Sequence, residues 1–246
     1  MSDLKRYFIQ QDLSKGLTAL IGGAQYNHLV NVIRQKKGDK IILLNGDGYD
    51  YTAEIIEISK QNATVLILDK QENLRKTKIN LTVFCGLLKG DTSENQAVKL
   101  SELGIYEFVP FISENCVIKK DSKKAERLNR VASESSKQCK RAIPIKVSDI
   151  KSYSEILNNL KNYQIKIIAY EQEKNNTLKQ ALKGIEICKN AALIIGPEGG
   201  FSKAEVDMAI NAGCNVVTLG KTILKADTAA ISAAAAILYE AGEWSR

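Results

Sequence analysis

The chain has 246 residues, a hydrophobic fraction of 44% and a charged fraction of 26%, the balance of an ordinary globular chain with enough apolar mass for a sizeable core. Its five cysteines, Cys85, Cys116, Cys139, Cys188 and Cys214, form no C-x-x-C pair. That argues against a disulfide framework and a metal site, and for a reducing, cytoplasmic compartment. The opening MSDLKRYF has no apolar segment of the kind a secretory leader needs, and AAISAAAAIL near the end is too short and alanine-rich to span a bilayer. The net charge of +7 is unevenly spread. Residues 1–75 carry ten Lys/Arg against nine Asp/Glu, whereas 115–141 carry nine against three, with Lys119, Lys120, Lys123, Lys124, Arg127, Arg130, Lys137, Lys140 and Arg141 close together. Such a concentration fits a phosphate backbone as partner.

In chain order, YNHLVNVIRQKKGD predicts one short helix ending at Lys36-Lys37-Gly38. DKIILLN, YDYTAEIIEIS and NATVLILD then predict β-strands. Asn45-Gly46-Asp47-Gly48 between the first two suits a hairpin turn, because Asn and Gly accept positive φ. A small β-barrel over 1–72 follows, with a polar linker at QENLRKTK and a second domain over 73–246. There the pattern alternates: strand KINLTVFC, a helix through TSENQAVKLSEL with Gly104 as its cap, strand FVPFI, a helix over 122–139, and another over 152–161. Strand YQIKIIAY, helix TLKQALKG, strand AALIIG, helix SKAEVDMAINAG, strand NVVTLG and a helix from Ala226 to Ala241 complete it. Strands alternating with helices predict an α/β domain with a mostly parallel sheet.

The segment 193–205, LIIGPEGGFSKAE, ends one of those strands, and ligands in open α/β sheets sit at strand carboxyl ends. Ser202 and Glu205 have the spacing of a capping box. A tight turn accounts for one or two glycines, but Gly196-Pro197-Glu198-Gly199-Gly200 leaves a longer run bare. The spacing matches neither phosphate-loop fingerprint, and Glu198 would repel phosphate. A glycine shelf with one carboxylate suits a neutral or cationic ligand, S-adenosylmethionine among them. A second such stretch, Leu219-Gly220-Lys221-Thr222-Ile223-Leu224-Lys225-Ala226-Asp227-Thr228-Ala229, follows NVVTL, and Asp227 or Thr228 is placed to cap the last helix. The run of small residues from Ala229 to Ala236 suits a helix in the core, under a crossing loop, or at a dimer interface.

Taken together, IGPEGGFSKAEVD and LGKTILKADTA resemble the RsmE family of 16S ribosomal RNA methyltransferases, within the SPOUT superfamily. NHLVNVIRQKKGD, ELG at 102–104 and ESSKQCKRAIP at 134–144 are similar to further segments of that family. The resemblance implies an amino-terminal PUA-like β-barrel, a SPOUT-type trefoil-knotted methyltransferase domain, and a homodimer. It implies methylation of N3 of a uridine in the decoding region, with S-adenosylmethionine as donor and the small ribosomal subunit as partner. The cofactor crevice would be lined by Gly196, Pro197, Glu198, Gly199 and Gly200, by Leu219, Gly220, Ile223, Leu224 and Thr228, and by Tyr170 and Glu171. Lys225 or Arg141 would stabilise the developing uracil anion. Arg6, Arg34, Lys99, Lys123, Arg127, Lys140 and Arg141 would grip RNA, mostly at phosphates. His28, the single histidine, is read as structural or RNA-facing.

The sequence departs from the family's pattern at three places. Lys225 and Asp227 stand where the family usually has Arg and Glu, Lys140 where it usually has Gly, and a lysine common shortly after Lys89 is missing from KGDTSEN. Lysine keeps the charge of arginine but loses its two-pronged fork, and Asp is one methylene shorter than Glu. A SPOUT enzyme acting on a ribose 2′-oxygen, and an RNA-binding assembly factor without activity, remain as other readings.

Overall fold

The computed structural model describes residues 4–14, 16–118 and 122–244. Lys119 and Lys120 of the basic cluster therefore lie outside the described residues. The chain forms two compact units, Met1–Lys76 with Ser136–Pro144, and Thr77–Ser135 with Ile145–Arg246. The division expected at 72/73 differs in two ways: the first unit continues to Lys76, and a distant segment returns to it.

The first unit is a five-stranded sheet of β1 (Arg6–Phe8), β2 (Thr18–Gly22), β3 (Lys40–Leu44), β4 (Tyr49–Ile58) and β5 (Asn62–Glu72), in the order β1-β3-β4-β5-β2. Every pair is antiparallel except β1 with β3. Alternation along β4 sends Tyr51, Ala53 and Ile55 inward, where they meet Tyr7, Ile21, Leu43 and Val65. Two register shifts between β4 and β5 bend the sheet around this core. The turn at 45–48 forms as expected: the Asp47 carboxylate accepts the Tyr49 amide and the Tyr51 hydroxyl. β1 and β2 are not among the expected strands; β1, at three residues, is too short to show a period. The predicted helix is also shorter than expected. α1 (Gly23–Asn27) runs into a π-helical turn over His28–Val32 and stops at Arg34, whose φ is +59°. Gly38 belongs to the next turn, where the Asp39 amide donates to Lys36.

The second unit is an α/β layer structure. Its sheet is built from β6 (Asn80–Gly86), β7 (Glu107–Ile112), β8 (Lys146–Val147), β9 (Lys151–Ser152), β10 (Ile165–Ala169), β11 (Asn190–Ile195) and β12 (Asn215–Val217). The order is β12-β10-β11-β6-β7-β8, with β9 also on β7, and every pairing is parallel. A parallel sheet must be covered on both faces. On one side Leu81, Val83 and Cys85 of β6 pack against α2 (Thr92–Leu103), α3 (Ser122–Gln138) and α7 (Ala226–Glu240). On the other, Phe84 joins Phe111 and residues of α4 (Tyr153–Asn158) and α6 (Lys203–Asn211). α5 (Leu178–Ala181) is a single turn behind its own capping box.

Gly104, at φ +91°, ends α2 as predicted. Ala229, Ala230, Ala233 and Ala234 face the core, so the small residues of α7 serve close packing on α2, β6 and β11. β12 is an edge strand, yet α7 packs over the sheet's centre. The chain between them therefore doubles back across the carboxyl ends of β10 and β11.

Candidate functional site

The strand β11 delivers Gly196-Pro197-Glu198-Gly199-Gly200 at its carboxyl end. Each glycine there lies close to a neighbour. A Cβ on Gly196 would meet the Phe201 ring at 3.1 Å, one on Gly199 the Asn115 Cβ at 2.9 Å, and one on Gly200 the Glu171 carboxylate at 2.9 Å. Gly200 also has φ +66°, and its amide donates to the Pro197 carbonyl at 3.0 Å, closing a turn. The turn thus accounts for Gly200, as the sequence suggests, while Gly199 answers to the close approach of Asn115 and Gly196 lies tight against the Phe201 ring.

Four side chains hold this loop. Asn115 Nδ2 donates to the carbonyls of Gly199 (3.1 Å) and Gly200 (3.3 Å). Glu198 Oε1 accepts the Lys89 amide at 3.0 Å. The predicted capping box is present: Ser202 Oγ accepts the Glu205 amide, and Glu205 Oε2 accepts the Ser202 amide. Glu205 is buried, and its Oε1 also accepts the Glu114 amide at 2.9 Å. One carboxylate so joins the start of α6 to the loop after β7.

Two further loops complete the cleft. After β10, the Glu173 carboxylate accepts the amides of Asn176 (3.0 Å), Asn175 (2.8 Å) and Lys174 (3.0 Å), which folds 171–177 into a compact lip and holds the Glu173 pKa below the usual carboxylate value. After β12, Thr218 Oγ1 bonds both the amide and the carbonyl of Gly220. The cleft between these loops measures about 1240 Å³ and is completed by Leu88 and Thr92. Ile223 stands in it 84% exposed, an apolar side chain with no protein cover. Main-chain groups, a few apolar side chains and scattered charge line this space, as expected for an organic ligand with a flat ring and polar ends.

Of the predicted cofactor residues, Tyr170, Glu171, Gly196, Pro197, Glu198, Gly199, Gly200, Leu219, Gly220, Ile223 and Leu224 all line the cleft. Thr228 does not: it lies inside α7, where its carbonyl accepts the Ser232 hydroxyl. Lys225 lines the cleft and is exposed. It is also the N-cap of α7, with no side chain bonding the free amides, so neither Asp227 nor Thr228 is the cap that was expected. Asp227 sits in the first turn, where its charge still favours the helix dipole. Leu88, Thr92 and Asn115 were missed by sequence reasoning. The only signal was the neighbourhood of Lys89, since contacts across such sequence distances leave no local pattern.

The predicted RNA-facing set is altered more. Arg6 is withdrawn from the surface, its side chain 10% exposed and paired with Asp50, which also accepts Asn73 Nδ2. Lys124 bonds Glu94 (3.0 Å) and the Gly90 carbonyl, and Arg127 pairs with Asp91 (2.8 Å) and Glu94 (3.2 Å). Two of the α3 cations are therefore paired within the second unit. Lys99 pairs with Glu102 at 3.1 Å. Arg34 and Lys123 are exposed. Lys140 and Arg141 belong to the first unit. Burial lowers the Arg141 pKa, and its Nε donates to the Ile143 carbonyl at 3.1 Å. His28 is exposed, with its ring 6.0 Å from that of Tyr7. Among the described residues there is no cluster of metal-ligating side chains and no helix long and apolar enough to cross a membrane.

A parallel sheet with a glycine-floored cleft at its carboxyl ends, in a chain that also carries a small β-unit, is the architecture of a SPOUT-type RNA methyltransferase. An RNA methyltransferase domain model matches residues 75–238 and an RNA methyltransferase PUA domain model residues 21–68. The chain belongs to this RNA methyltransferase family. It is 32% identical to the ribosomal RNA small subunit methyltransferase E of Bacillus subtilis, over 96% of this chain and 97% of that protein. It is 29% identical to the protein of the same name from Rickettsia conorii, over 94% of each chain. The crystal structure of ribosomal RNA small subunit methyltransferase E from Neisseria gonorrhoeae bound to S-adenosyl methionine superposes with a TM-score of 0.87 at 28% identity, covering 96% of this chain and 98% of that one.

Proposed function

We propose that this protein transfers a methyl group from S-adenosylmethionine to N3 of a uridine in the decoding region of 16S ribosomal RNA. The observation that carries the reading is the cleft of main-chain groups at the ends of β10, β11 and β12, in a chain related over nearly its full length to ribosomal RNA small subunit methyltransferases E. The residues suit the donor. Gly196 to Gly200 offer peptide groups to its methionine and ribose, while Leu219, Ile223 and Leu224 offer apolar contact to its adenine. S-adenosylmethionine supplies an electrophilic methyl on a sulfonium. This chain's part is to hold the uracil in line with that methyl and to stabilise the charge left when N3 loses its proton. Lys225, a cation on the cleft rim, is assigned the second task in preference to Arg141, which is not among the residues lining the cleft. Uracil N3 lies on the pairing edge, so the base must leave its stack first.

The doubling back of 218–225 supports the threaded carboxyl end that the family resemblance implies. A homodimer in the cytoplasm completes the proposal, and sedimentation of the purified chain tests the dimer.

The deciding experiment incubates small subunits from a strain lacking the gene with the protein and S-adenosylmethionine, then digests the RNA to nucleosides for mass spectrometry. 3-Methyluridine is expected, with a new primer-extension stop in 16S RNA. Methyl on a ribose oxygen would overturn the assignment of the atom, and no incorporated methyl would overturn the activity. Lys225→Met is expected to lower kcat about a hundredfold while cofactor affinity holds.

A further inference from the structure

The Glu198 carboxylate lies in the cleft wall, where a ligand contact would be the ordinary reading, but it accepts a main-chain amide. We propose that Glu198 is a positioning residue: it staples the loop after β6 to the glycine loop after β11, and so sets the shape of the wall between them. The two strands are neighbours in the sheet, and Gly86 at the end of β6 lets the Pro197 nitrogen come within 2.4 Å of where a Cβ would stand. The Lys89 amide donating to Glu198 Oε1 at 3.0 Å is a second link between the loops that follow these strands. Lys89 lies between Leu88 and Thr92, both of which line the cleft, so this bond fixes how far they stand from Gly199 and Gly200. The rest of the same loop is already tied: the Leu88 amide donates to Ser93 Oγ at 3.0 Å, and Lys124 Nζ donates to the Gly90 carbonyl. A carboxylate is suited to this task because its bond to an amide is charge-assisted.

The inference rests on the S-adenosylmethionine reading of the cleft, and its test separates the two. Titration calorimetry with S-adenosylmethionine is run on wild type, Glu198→Gln and Glu198→Ala, with thermal melts to establish that each is folded. Glutamine keeps an acceptor oxygen and loses the charge. Expected are affinity within about threefold of wild type for Glu198→Gln and a loss of about tenfold for Glu198→Ala. If Gln is as damaging as Ala, Glu198 serves the ligand by its charge and the proposal fails. It fails also if both variants bind like wild type. Amide exchange of Lys89 is followed in the same proteins without ligand. Protection in wild type and Glu198→Gln, lost in Glu198→Ala, is expected, and a Lys89 amide exchanging at the unfolded rate in wild type overturns the staple. If wild type gives no heat with S-adenosylmethionine, the cofactor reading falls, and the exchange data still decide the role of Glu198.

Discussion

The Cα of Gly86 faces Pro197 so closely that a Cβ would stand 2.4 Å from the Pro197 nitrogen and 2.6 Å from its Cδ. No real Cβ sits at such a distance from backbone, so the two strand ends are as near as their main chains permit. The glycine loop owes its position to this contact as well as to its own turn.

Gly86→Ala is therefore expected to push the 196–200 loop off its seat. A loss of roughly 1–3 kcal/mol follows from forcing a methyl into a filled space, read from urea unfolding. Affinity for S-adenosylmethionine is expected to fall with it, because the displaced residues line the cleft. A variant with wild-type stability and affinity would show that the loop yields freely.

Lys140 has φ +64°, left-handed backbone that a side chain disfavours. It follows α3 as a helix-ending residue, with its amide on the Lys137 carbonyl and the Arg141 amide on the Ser136 carbonyl. Lys140→Gly, which puts in the residue usual in the resembled family, is expected to stabilise the protein by about 0.5–1 kcal/mol, because relief of roughly 1–2 kcal/mol of left-handed strain exceeds the roughly 0.5–1 kcal/mol that glycine loses in chain entropy. A rise in the denaturation midpoint checks it.

Glu205 serves both the Ser202 and Glu114 amides from a buried position. Glu205→Ala leaves those donors without their carboxylate and is expected to cost about 1–3 kcal/mol. Glu205→Gln keeps one acceptor oxygen, so the melting temperature should order as wild type, Gln, Ala.

The Glu173 pKa is lowered by the amides of Asn176, Asn175 and Lys174. A carboxyl whose folded pKa lies below its unfolded value contributes stability above that unfolded value, and loses it as pH falls through the folded one. Affinity for S-adenosylmethionine is thus expected to decline on acidification below the ordinary carboxylate range, as the 171–177 lip loosens. In Glu173→Ala this acid limb should vanish, with affinity uniformly lower. An NMR titration placing Glu173 at or above ordinary glutamates would contradict the assignment.

What could be read locally was read from the sequence. The alternation of strands with helices after residue 78, Gly104 as a cap, the Ser202–Glu205 box and the hairpin at 45–48 each depend on residues within a few positions of one another, so their patterns survive in one dimension. The two glycine-bearing loops were found the same way, because each interrupts an apolar strand. Their chemical meaning came from resemblance, since bare backbone looks alike whether it meets a ligand or another loop.

Tertiary structure decided what depends on charges and atoms brought from far along the chain. Arg6 and Asp50, or Lys124 and Glu94, cancel across distances that no window spans, so cations expected to face RNA and part of the basic cluster became internal ion pairs. Gly199 answers to Asn115 and Gly196 packs on Phe201, and Glu198 answers to the Lys89 amide. Composition and local period choose the elements because backbone preference is local. Which side chain faces a ligand and which faces its own protein is a matter of packing, settled only when strands separate in sequence lie side by side.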